Sequence, residues 1–205
     1  MTASPRVILI GGAPMSGKST VARLLAQRRR SAHIATDDLG AAVRADRTAR
    51  AVAQPAPAES EDYREHYVRR SASQLWQEAL DEHRALAPAI DAVVRRHASW
   101  AQPAVVEGWA LLPDLIGAEH CATNAVWLLA DRALLEARTR ADTAFWTGAS
   151  DVEAMIGKFV ERSLKLNEHL RAFAERRPLR LVHVSGGESP EAVVDRIERL
   201  LTQAI

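Results

Sequence analysis

The sequence predicts an α/β fold in which helices cover both faces of a parallel β-sheet. Short, continuously apolar segments alternate with longer segments of helical periodicity, and this alternation is typical of parallel strands joined by right-handed crossovers. Polar and glycine-rich segments follow the apolar runs directly, so they fall at the carboxyl ends of the predicted strands, where ligands bind in such sheets. At 205 residues the chain is long enough for one domain with a substantial core.

The first predicted strand, Val7 to Ile10, is apolar throughout, as expected for a strand that is covered on both faces. It leads into Gly12-x-x-x-x-Gly17-Lys18-Ser19, which matches the phosphate-binding loop (P-loop) pattern between a strand and a helix. The backbone N–H groups of residues 13–19 can surround a phosphate at the start of that helix. We therefore expect a nucleotide to contact Gly12, Ala13, Pro14, Met15, Ser16, Gly17, Lys18, Ser19 and Thr20.

Two P-loop side chains have specific expected roles. Lys18 should reach the β- and γ-phosphates as a compact point charge, and the Ser19 hydroxyl should ligate Mg²⁺. Only three of the 27 basic residues are lysines, so a lysine at this position of an arginine-rich chain supports the motif. The alternative is a chance match in a glycine-containing turn, which the flanking strand and helix disfavour.

The other elements are predicted from apolar periodicity and from turn residues. Helices are expected over residues 19–30, 39–45, 59–85, 88–97, 132–140, 151–175 and 190–201. Further strands are expected at residues 33–36, 104–106, 125–130 and 179–184. The segment 45–58 is rich in Ala, Arg and Pro and is predicted to be a mobile loop, and residues 143–150 interrupt the helical pattern.

Composition limits the classes of partner. The 27 Lys and Arg residues balance 26 Asp and Glu residues, which leaves no electrostatic footprint for duplex nucleic acid. The single Cys121 excludes an internal disulfide and a cysteine zinc cluster. The seven histidines show no metal-ligand spacing, and we expect them to be mostly surface or capping residues. With neither a membrane span nor a signal peptide in the pattern, we expect a cytoplasmic monomer or homodimer with a small-molecule substrate and no membrane or nucleic-acid partner.

A P-loop alone does not distinguish kinases from GTPases, motor ATPases and nucleotide-binding regulators. GTPases read guanine through an Asn/Thr-Lys-x-Asp segment, and neither Lys158 nor Lys165, the only other lysines, lies in one. The chain also lacks the length and the second domain of a motor ATPase. The segments between the second and third strands and around 131–150 look like the substrate-binding and lid insertions of phosphotransferases, which exclude water from phosphoryl transfer.

Taken together, these features make the chain resemble, over most of its length, the P-loop kinase superfamily with a nucleoside-monophosphate-kinase-like core. The resemblance implies a three-layer fold with a five-stranded parallel sheet of order 2-3-1-4-5, as one domain over residues 1–205. Residues 45–100 would form a helical substrate-binding insertion, and residues 132–150 a lid. It also implies that the cofactors are ATP and Mg²⁺ and that the γ-phosphoryl group passes to a hydroxyl of a small metabolite.

The segment IATDDLGAAVR is similar to the (S/T)-x-D-D-x-x-R segment of several small-molecule and polynucleotide kinases. That similarity implies that Asp37 accepts the proton of the acceptor hydroxyl, with Asp38 beside it in the substrate site. A carboxylate there can orient a hydroxyl for in-line attack, whereas the alternative is an N-cap pair for the next helix. The relatives often have an arginine three residues after the base. Here Gly40 occupies that position, and the nearest candidate for binding the substrate is Arg44.

The segment VVEGWALLPDLI resembles EGVHLVPG of 2-phosphoglycerate kinases, and KFVERSLKLNEHL is similar to the arginine-bearing helix after their lid. The resemblance implies that Glu107 acts on Mg²⁺, directly or through water, and that Trp109 and Arg162 contact the substrate. It makes 2-phosphoglycerate or a similar compound the candidate acceptor. Ala110 stands where that family has a histidine, so the acceptor can differ. The alternative for Glu107 is a structural ion pair with an arginine.

Arg132, Arg138 and Arg140 flank the predicted lid, and P-loop kinases use such arginines to neutralise charge on the transferred phosphoryl group. Arg138 is the preferred candidate for catalysis and for ATP contact. The alternative is pairing along the helix, as between Glu136 and Arg140. Gly186 follows the last strand where related kinases pass the adenine ring, which implies a backbone contact with ATP.

Two other functions stay open at this point. One is a 5′-hydroxyl polynucleotide kinase, which a local arginine cleft would permit despite the balanced net charge. The other is a non-catalytic ATP-binding regulatory protein whose lid reports the nucleotide to a partner. The sequence does not identify the acceptor, the pathway or which of the two neighbouring aspartates is the base.

Overall fold

Five parallel strands form one sheet in a computed structural model that describes residues 6–51, 62–100, 102–117 and 124–202. The strands are β1 (Val7–Gly12), β2 (Ala32–Ala35), β3 (Ala104–Glu107), β4 (Ala125–Ala130) and β5 (Leu181–Val184). Their spatial order is β2-β3-β1-β4-β5, so the predicted fold and strand order are confirmed. β1 and β4 are buried along their whole length, as their unbroken apolar runs predict.

Helices cover the sheet and extend beyond its β2 edge. Before β3 they are α1 (Lys18–Arg29), α2 (Thr36–Ala51), α3 (Tyr63–Arg69) and α4 (Ala72–Ser99). After β4 they are α5 (Arg132–Ala141), α6 (Thr143–Trp146), α7 (Val152–Ala174) and α8 (Pro190–Thr202). Among the described residues, none of the helices combines the length and the apolar character needed to cross a bilayer.

Strand register brings the ends of β1, β2 and β3 to one level. Glu107, the last residue of β3, lies opposite Ile10 on one side and Ala35 on the other. Because the three strands are parallel, the segments that follow them leave the sheet at the same edge. The P-loop, the start of α2 and the turn after β3 are therefore neighbours, although they are far apart in the sequence.

The indole of Trp127 on β4 contacts both β1 and the turn after β3. Trp127 is 1% exposed, and its Nε1–H donates to the backbone oxygen of Leu111 at 2.7 Å. A Cβ at Gly11 would lie 2.3 Å from the indole Cδ1, so this strand position needs a glycine. Trp127 is therefore a core residue.

The predicted loop over residues 45–58 is wrong for its first part. Residues 45–51 continue α2, which begins at Thr36 instead of residue 39. The alanines and arginines of this stretch are good helix formers, and the prolines that indicated a loop come later in the chain. Residues 52–58, with both prolines, lie outside the described residues.

The helical region before β3 is divided differently from the prediction. The break falls between Arg69 and Ala72, where Ser71 and Gln74 form a capping box that starts α4. α4 then continues through Pro88 to Ser99, so the predicted break before residue 88 is wrong. Ile90 and Val94, which follow the proline, are buried in the core, and this packing offsets the cost of a proline inside a helix. Residues 59–61, the predicted start of the first helix, lie outside the described residues.

Smaller differences concern element ends. The last strand begins at Leu181, two residues later than predicted, and the interrupted segment 143–150 contains the single helical turn of α6. The assignments of residues 45–100 to a substrate-binding insertion and of residues 132–150 to a lid stay predictions.

Candidate active site

Glycine conformations shape the P-loop between β1 and α1. Gly12 and Gly17 have φ values of 134° and 93°, in the region that residues with a Cβ rarely adopt. A Cβ at Gly12 would also lie 2.5 Å from the backbone oxygen of Leu128. Gly17 precedes the first turn of α1, and no side chain caps that helix, so its first N–H groups are open to a ligand.

A cleft of about 420 Å³, here called the P-loop cleft, opens beside this loop. Residues 15–21 form one wall of this cleft. The other wall is formed by Arg138 of α5, Val184 at the end of β5 and Glu188 after it. The buried Ser16 hydroxyl has no hydrogen-bond partner within the described parts of the chain. The cleft therefore combines a helix N-terminus, a lysine, an arginine and a free hydroxyl, which together suit a polyphosphate.

Lys18 is only 6% exposed. Burial lowers the pKa of its ammonium group, while the nearby carboxylates of Glu107 and Asp37 act in the opposite direction. Arg162 adds a further lowering of this pKa. The Lys18 ammonium group thus lies close to charged groups from three separate segments of the sequence, namely Asp37, Glu107 and Arg162.

Asp37 lies in the first turn of α2, together with Asp38, and both side chains are exposed to solvent. The preceding Thr36 is fully buried against Gly108, where a Cβ would lie 1.6 Å from the threonine Oγ1. This close approach holds the start of α2 against the end of β3. Because α2 begins at Thr36, the two aspartates lie inside its first turn and are not the N-cap pair considered as the alternative, although their charge there is favourable with the helix dipole.

Glu107 is 4% exposed at the end of β3. Its Oε1 lies 3.7 Å from Nε2 of His33 on β2. His33 is two residues before Ala35, which pairs with Glu107 in the strand register. No arginine forms an ion pair with Glu107 among the residues described, so the alternative of a structural arginine pair is not what the structure contains. A buried carboxylate near Lys18 instead matches the oxygen ligands that Mg²⁺ prefers.

The residues present fit a magnesium ion held mostly by phosphates. Within the described ranges no group of three or more His, Cys, Asp or Glu side chains converges as a metal cage. Mg²⁺ usually takes one or two protein ligands and completes its shell with substrate phosphates and water, so Ser19 and Glu107 would be enough.

A second cleft, of about 300 Å³, lies between α2, α4 and the turn after β3, and is here called the α2–α4 cleft. Asp37 and Arg44 line it from α2, and Trp109 and Ala110 line it from the turn. The structure therefore brings together four residues that the sequence analysis linked with the substrate. Arg47 and Glu82 add charged groups to its wall.

Arg162 lies behind this cleft in a cage of aromatic rings. Its guanidinium carbon is 4.5 Å from the ring centre of Trp109, 5.1 Å from that of Tyr67 and 4.9 Å from that of Phe159. It also donates to the Tyr67 hydroxyl. The side chain is 7% exposed, and burial lowers its pKa. Cation–π contacts partly replace the lost water, and no carboxylate pairs with it in the described part of the chain.

His83 is a residue of this cleft that the sequence analysis missed. It is 2% exposed, whereas we expected the histidines to be mostly surface or capping residues. Its ring packs edge-on against Trp109 at 4.3 Å between centres, and neither ring nitrogen has a hydrogen-bond partner in the described chain. Burial, and the charge of Arg162, lower the pKa of His83 to about 4. Its position on the buried face of α4, eight residues after Leu75, is the only sequence signal for it.

The three predicted lid arginines have different surroundings. Arg138 donates from Nη1 to the backbone oxygen of Met15 at 2.9 Å, so it lies directly over the P-loop. Arg140 pairs with Glu136, which is the helix pairing considered as its alternative. It also pairs with Glu153 of α7. Arg132 is exposed at the start of α5.

The segment after α5 is attached to α3. The Tyr63 hydroxyl donates to the backbone oxygen of Phe145 at 2.7 Å, and Glu65 accepts from both the N–H and the hydroxyl of Ser150. Phe145 also packs against Phe159 at 4.8 Å between ring centres. These contacts join the predicted lid to the predicted insertion. The joined region lies beside Arg162, because Phe159 contacts both Phe145 and the Arg162 guanidinium group. Trp146 is half-buried here, and its Nε1–H donates to the Arg140 oxygen.

Gly186 is exposed in the turn between β5 and α8. Its neighbours Val184 and Glu188 line the P-loop cleft, but Gly186 itself does not. A Cβ there would lie 3.7 Å from a methyl group of Leu134, which is ordinary contact. Its contact with the adenine ring stays a prediction.

Comparisons with known proteins agree with the fold. The sequence model of the Zeta toxin family matches residues 1–86, under half of the chain, from the P-loop to the first part of α4. The chain is also similar to a gluconokinase from Sinorhizobium meliloti 1021, with a TM-score of 0.56 and 18% identity over 97% of this chain and 94% of that chain. It is similar to a shikimate kinase from Bacteroides thetaiotaomicron, with a TM-score of 0.53 and 15% identity over 96% of this chain and 98% of that chain. No curated protein matches the chain.

At these identities the solved structures show the fold alone. The fold and the P-loop define a protein with the architecture of P-loop small-molecule kinases. The finer resemblance to 2-phosphoglycerate kinases stays a prediction.

Proposed function

We propose that the chain is an ATP- and Mg²⁺-dependent kinase that transfers the γ-phosphoryl group of ATP to a hydroxyl group of a small metabolite. One observation carries the proposal. Asp37 lines the α2–α4 cleft and Lys18 lines the P-loop cleft, and the Asp37 carboxylate is close enough to Lys18 to act on the pKa of its ammonium group. A phosphoryl donor and an acceptor can therefore lie on either side of one carboxylate.

The chemistry follows from that placement. Asp37 accepts the proton of the acceptor hydroxyl, whose oxygen attacks the γ-phosphorus. The bond from that phosphorus to the β–γ bridging oxygen breaks, and ADP leaves with the electron pair. Mg²⁺, held by Ser19 and Glu107, would supply charge neutralisation at the phosphates.

Positive side chains of this chain stabilise the charge on the transferred group. Lys18 presents its ammonium group at the P-loop, and Arg138 already lies over that loop through its bond to Met15. Both are held in place before the reaction, so little reorganisation is needed when the charge develops. Attachment of the 143–150 segment to α3 would exclude water from the same site.

The experiment is ADP release from Mg·ATP with and without 2-phosphoglycerate, followed by a wider panel of hydroxylated metabolites. We expect one acceptor to stimulate release, and Asp37→Asn to abolish the stimulation while nucleotide affinity is kept. Lys18→Ala should lower both nucleotide affinity and turnover, by about a hundredfold or more in turnover. Nucleotide affinity and turnover that survive in Lys18→Ala would disprove the proposal. ATP binding without turnover on any acceptor would favour the nucleotide sensor.

A second candidate is a toxin that acts through the same site, and the match of residues 1–86 to the Zeta toxin family favours it. The test is induced expression of the wild-type chain and of Lys18→Ala in a bacterial host. Growth arrest by the wild type alone would support this candidate. Equal growth of both strains, at equal protein levels, would count against it.

A further inference from the structure

We propose that the α2–α4 cleft is a subsite for a small hydroxylated anion, with His83 holding a hydroxyl group and Arg44 and Arg47 holding a carboxylate or phosphate group. This inference rests on the proposed function, because it assigns the acceptor class of that kinase. It adds His83 and Arg47 to the residues that the sequence patterns indicated.

The unpaired ring nitrogens of the buried His83 point to a ligand. A histidine that is 2% exposed would normally hydrogen-bond within the protein, yet both of its ring nitrogens lack a partner in the described chain. The cost of leaving buried polar atoms unpaired is recovered when a ligand pairs with them. Since His83 lines the cleft, the ligand that pairs with it would be the molecule in the cleft.

The neutral imidazole of His83 is suited to a hydroxyl group. Burial keeps His83 uncharged at neutral pH, so one ring nitrogen donates a hydrogen bond and the other accepts one. A hydroxyl group can also donate and accept, which makes it a matching partner. Thr36 Oγ1 also lacks a partner among the described residues, but it lies against Gly108. The unpaired nitrogens of His83 therefore favour a ligand that carries a hydroxyl group.

The position of His83 complements the turn after β3, where Ala110 follows Trp109 and offers no polar side chain. In the structure, His83 lines the same cleft as Ala110 and packs on the neighbouring Trp109. α4 therefore supplies an imidazole next to the position where the β3 turn has none.

The charge of the ligand follows from Arg44 and Arg47. They lie three residues apart on α2, and both face the cleft. Neither forms an ion pair within the described ranges, so their guanidinium groups are available to a carboxylate or phosphate. Glu82 faces them from α4 and would repel an anion that lay on its side of the cleft. At about 300 Å³ the cleft is at the lower limit of ligand sites, so the anion is small.

The experiment measures acceptor binding by calorimetry to the full chain saturated with Mg²⁺ and a non-hydrolysable ATP analogue. The probes are 2-phosphoglycerate, D-gluconate and, as the neutral counterpart, glycerol. We expect at least one anionic probe to bind and glycerol to bind about tenfold more weakly or worse. Glycerol that binds as tightly as the anions, or two anionic probes that do not bind, would overturn the proposal.

Variants locate the binding. The Arg44→Gln/Arg47→Gln double variant should weaken the anionic probe by about tenfold or more and leave glycerol unaffected. His83→Leu should weaken every probe, and His83→Gln should restore part of the affinity because it keeps a donor. Glu82→Gln is the matched control at the same wall, and it should keep or tighten anion binding. Unchanged affinity in the double variant would overturn the role of the arginines.

Affinity for the ATP analogue separates this inference from the proposed function. Every variant should keep wild-type nucleotide affinity, which also shows that it is folded. If the nucleotide does not bind to the wild type, the proposed kinase activity fails. If the nucleotide binds and only the anionic probes do not, the acceptor assignment alone fails.

Discussion

Arg138 links the predicted lid to the P-loop. Its Nη1 donates to the Met15 oxygen at 2.9 Å, and it lies 3.0 Å from where a Cβ on Gly17 would be. Any side chain at position 17 would crowd the guanidinium group of Arg138. The arginine is thus already placed over the loop that we expect to hold the phosphates.

We predict that Arg138→Gln lowers kcat by about a hundredfold or more, because it removes a fixed positive charge from the transferred group. Steady-state ADP release with the acceptor found by the metabolite panel measures this. Arg23→Gln, which removes an exposed arginine from α1, is the control and should keep wild-type kcat. Equal kcat values in the two variants would contradict the catalytic role of Arg138.

His83 should make the folded protein less stable in acid. Its pKa is lowered from 6.5 to about 4. Between these values the unfolded chain binds a proton that the folded chain does not, so the free energy of unfolding falls as the pH drops through this range. The loss is about 2 kcal/mol near pH 5.

In His83→Gln, the decrease in unfolding free energy between about pH 7 and about pH 5 should therefore be smaller by about 2 kcal/mol than in the wild type. Urea unfolding at the two pH values measures the difference. His183→Gln removes an exposed imidazole from β5 and should retain the wild-type pH dependence. A wild-type pH dependence of unfolding in His83→Gln would contradict a lowered pKa of His83.

At the scale of elements, α4 shows how packing overrides a local signal. Pro88 removes one backbone donor in the middle of the helix, yet the helix continues for eleven residues to Ser99. The buried side chains beyond the proline, Ile90 and Val94, contact the core. The same helix carries His83, which lines the α2–α4 cleft.

The contact between α2 and the end of β3 gives a prediction at this scale. Gly108→Ala would place a Cβ 1.6 Å from Thr36 Oγ1, so the start of α2 must move away from β3. We expect a loss of about 1–3 kcal/mol in unfolding free energy and a weaker response to the acceptor, because Asp37 follows Thr36 directly. Gly187→Ala is the control, since a Cβ there meets nothing within 4 Å. Denaturant unfolding and ADP release check both expectations, and equal stability of the two variants would contradict them.

At the scale of the whole molecule, the charge is balanced, with a formal net charge of +1. The positive groups of the site are local: Lys18 and Arg162 are buried, and Arg44 and Arg47 lie in one cleft. A small anion can reach such groups, while a long polyanion needs an extended basic surface. The charge distribution therefore favours a metabolite over a polynucleotide.

We predict no salt-sensitive binding of a 20-nucleotide single strand. Fluorescence anisotropy at about 50 mM and about 200 mM NaCl should show no saturable binding at either salt concentration, because few phosphates would be neutralised. Binding that is tight at low salt and falls by orders of magnitude at high salt would revive the polynucleotide kinase alternative.

Much of the fold could be predicted because its signals are local. The unbroken apolar runs of β1 and β4 indicate buried parallel strands by themselves, and the spacing Gly12 to Ser19 indicates a phosphate loop at the start of a helix. Asp37 and Glu107 could be named because each follows a predicted strand. These features depend on a few consecutive residues, and their physical cause lies in backbone conformation and burial.

Only the tertiary structure decided which distant residues share the site. Arg138 meets Met15 across 123 positions of the chain. Arg162 is enclosed by rings from three different segments, and His83 of α4 packs on Trp109 of the turn after β3. Such neighbours depend on how helices pack on the sheet, and packing depends on all the side chains at once. The sequence by itself thus determined the P-loop and the sheet, whereas the walls of the α2–α4 cleft came from packing between distant elements.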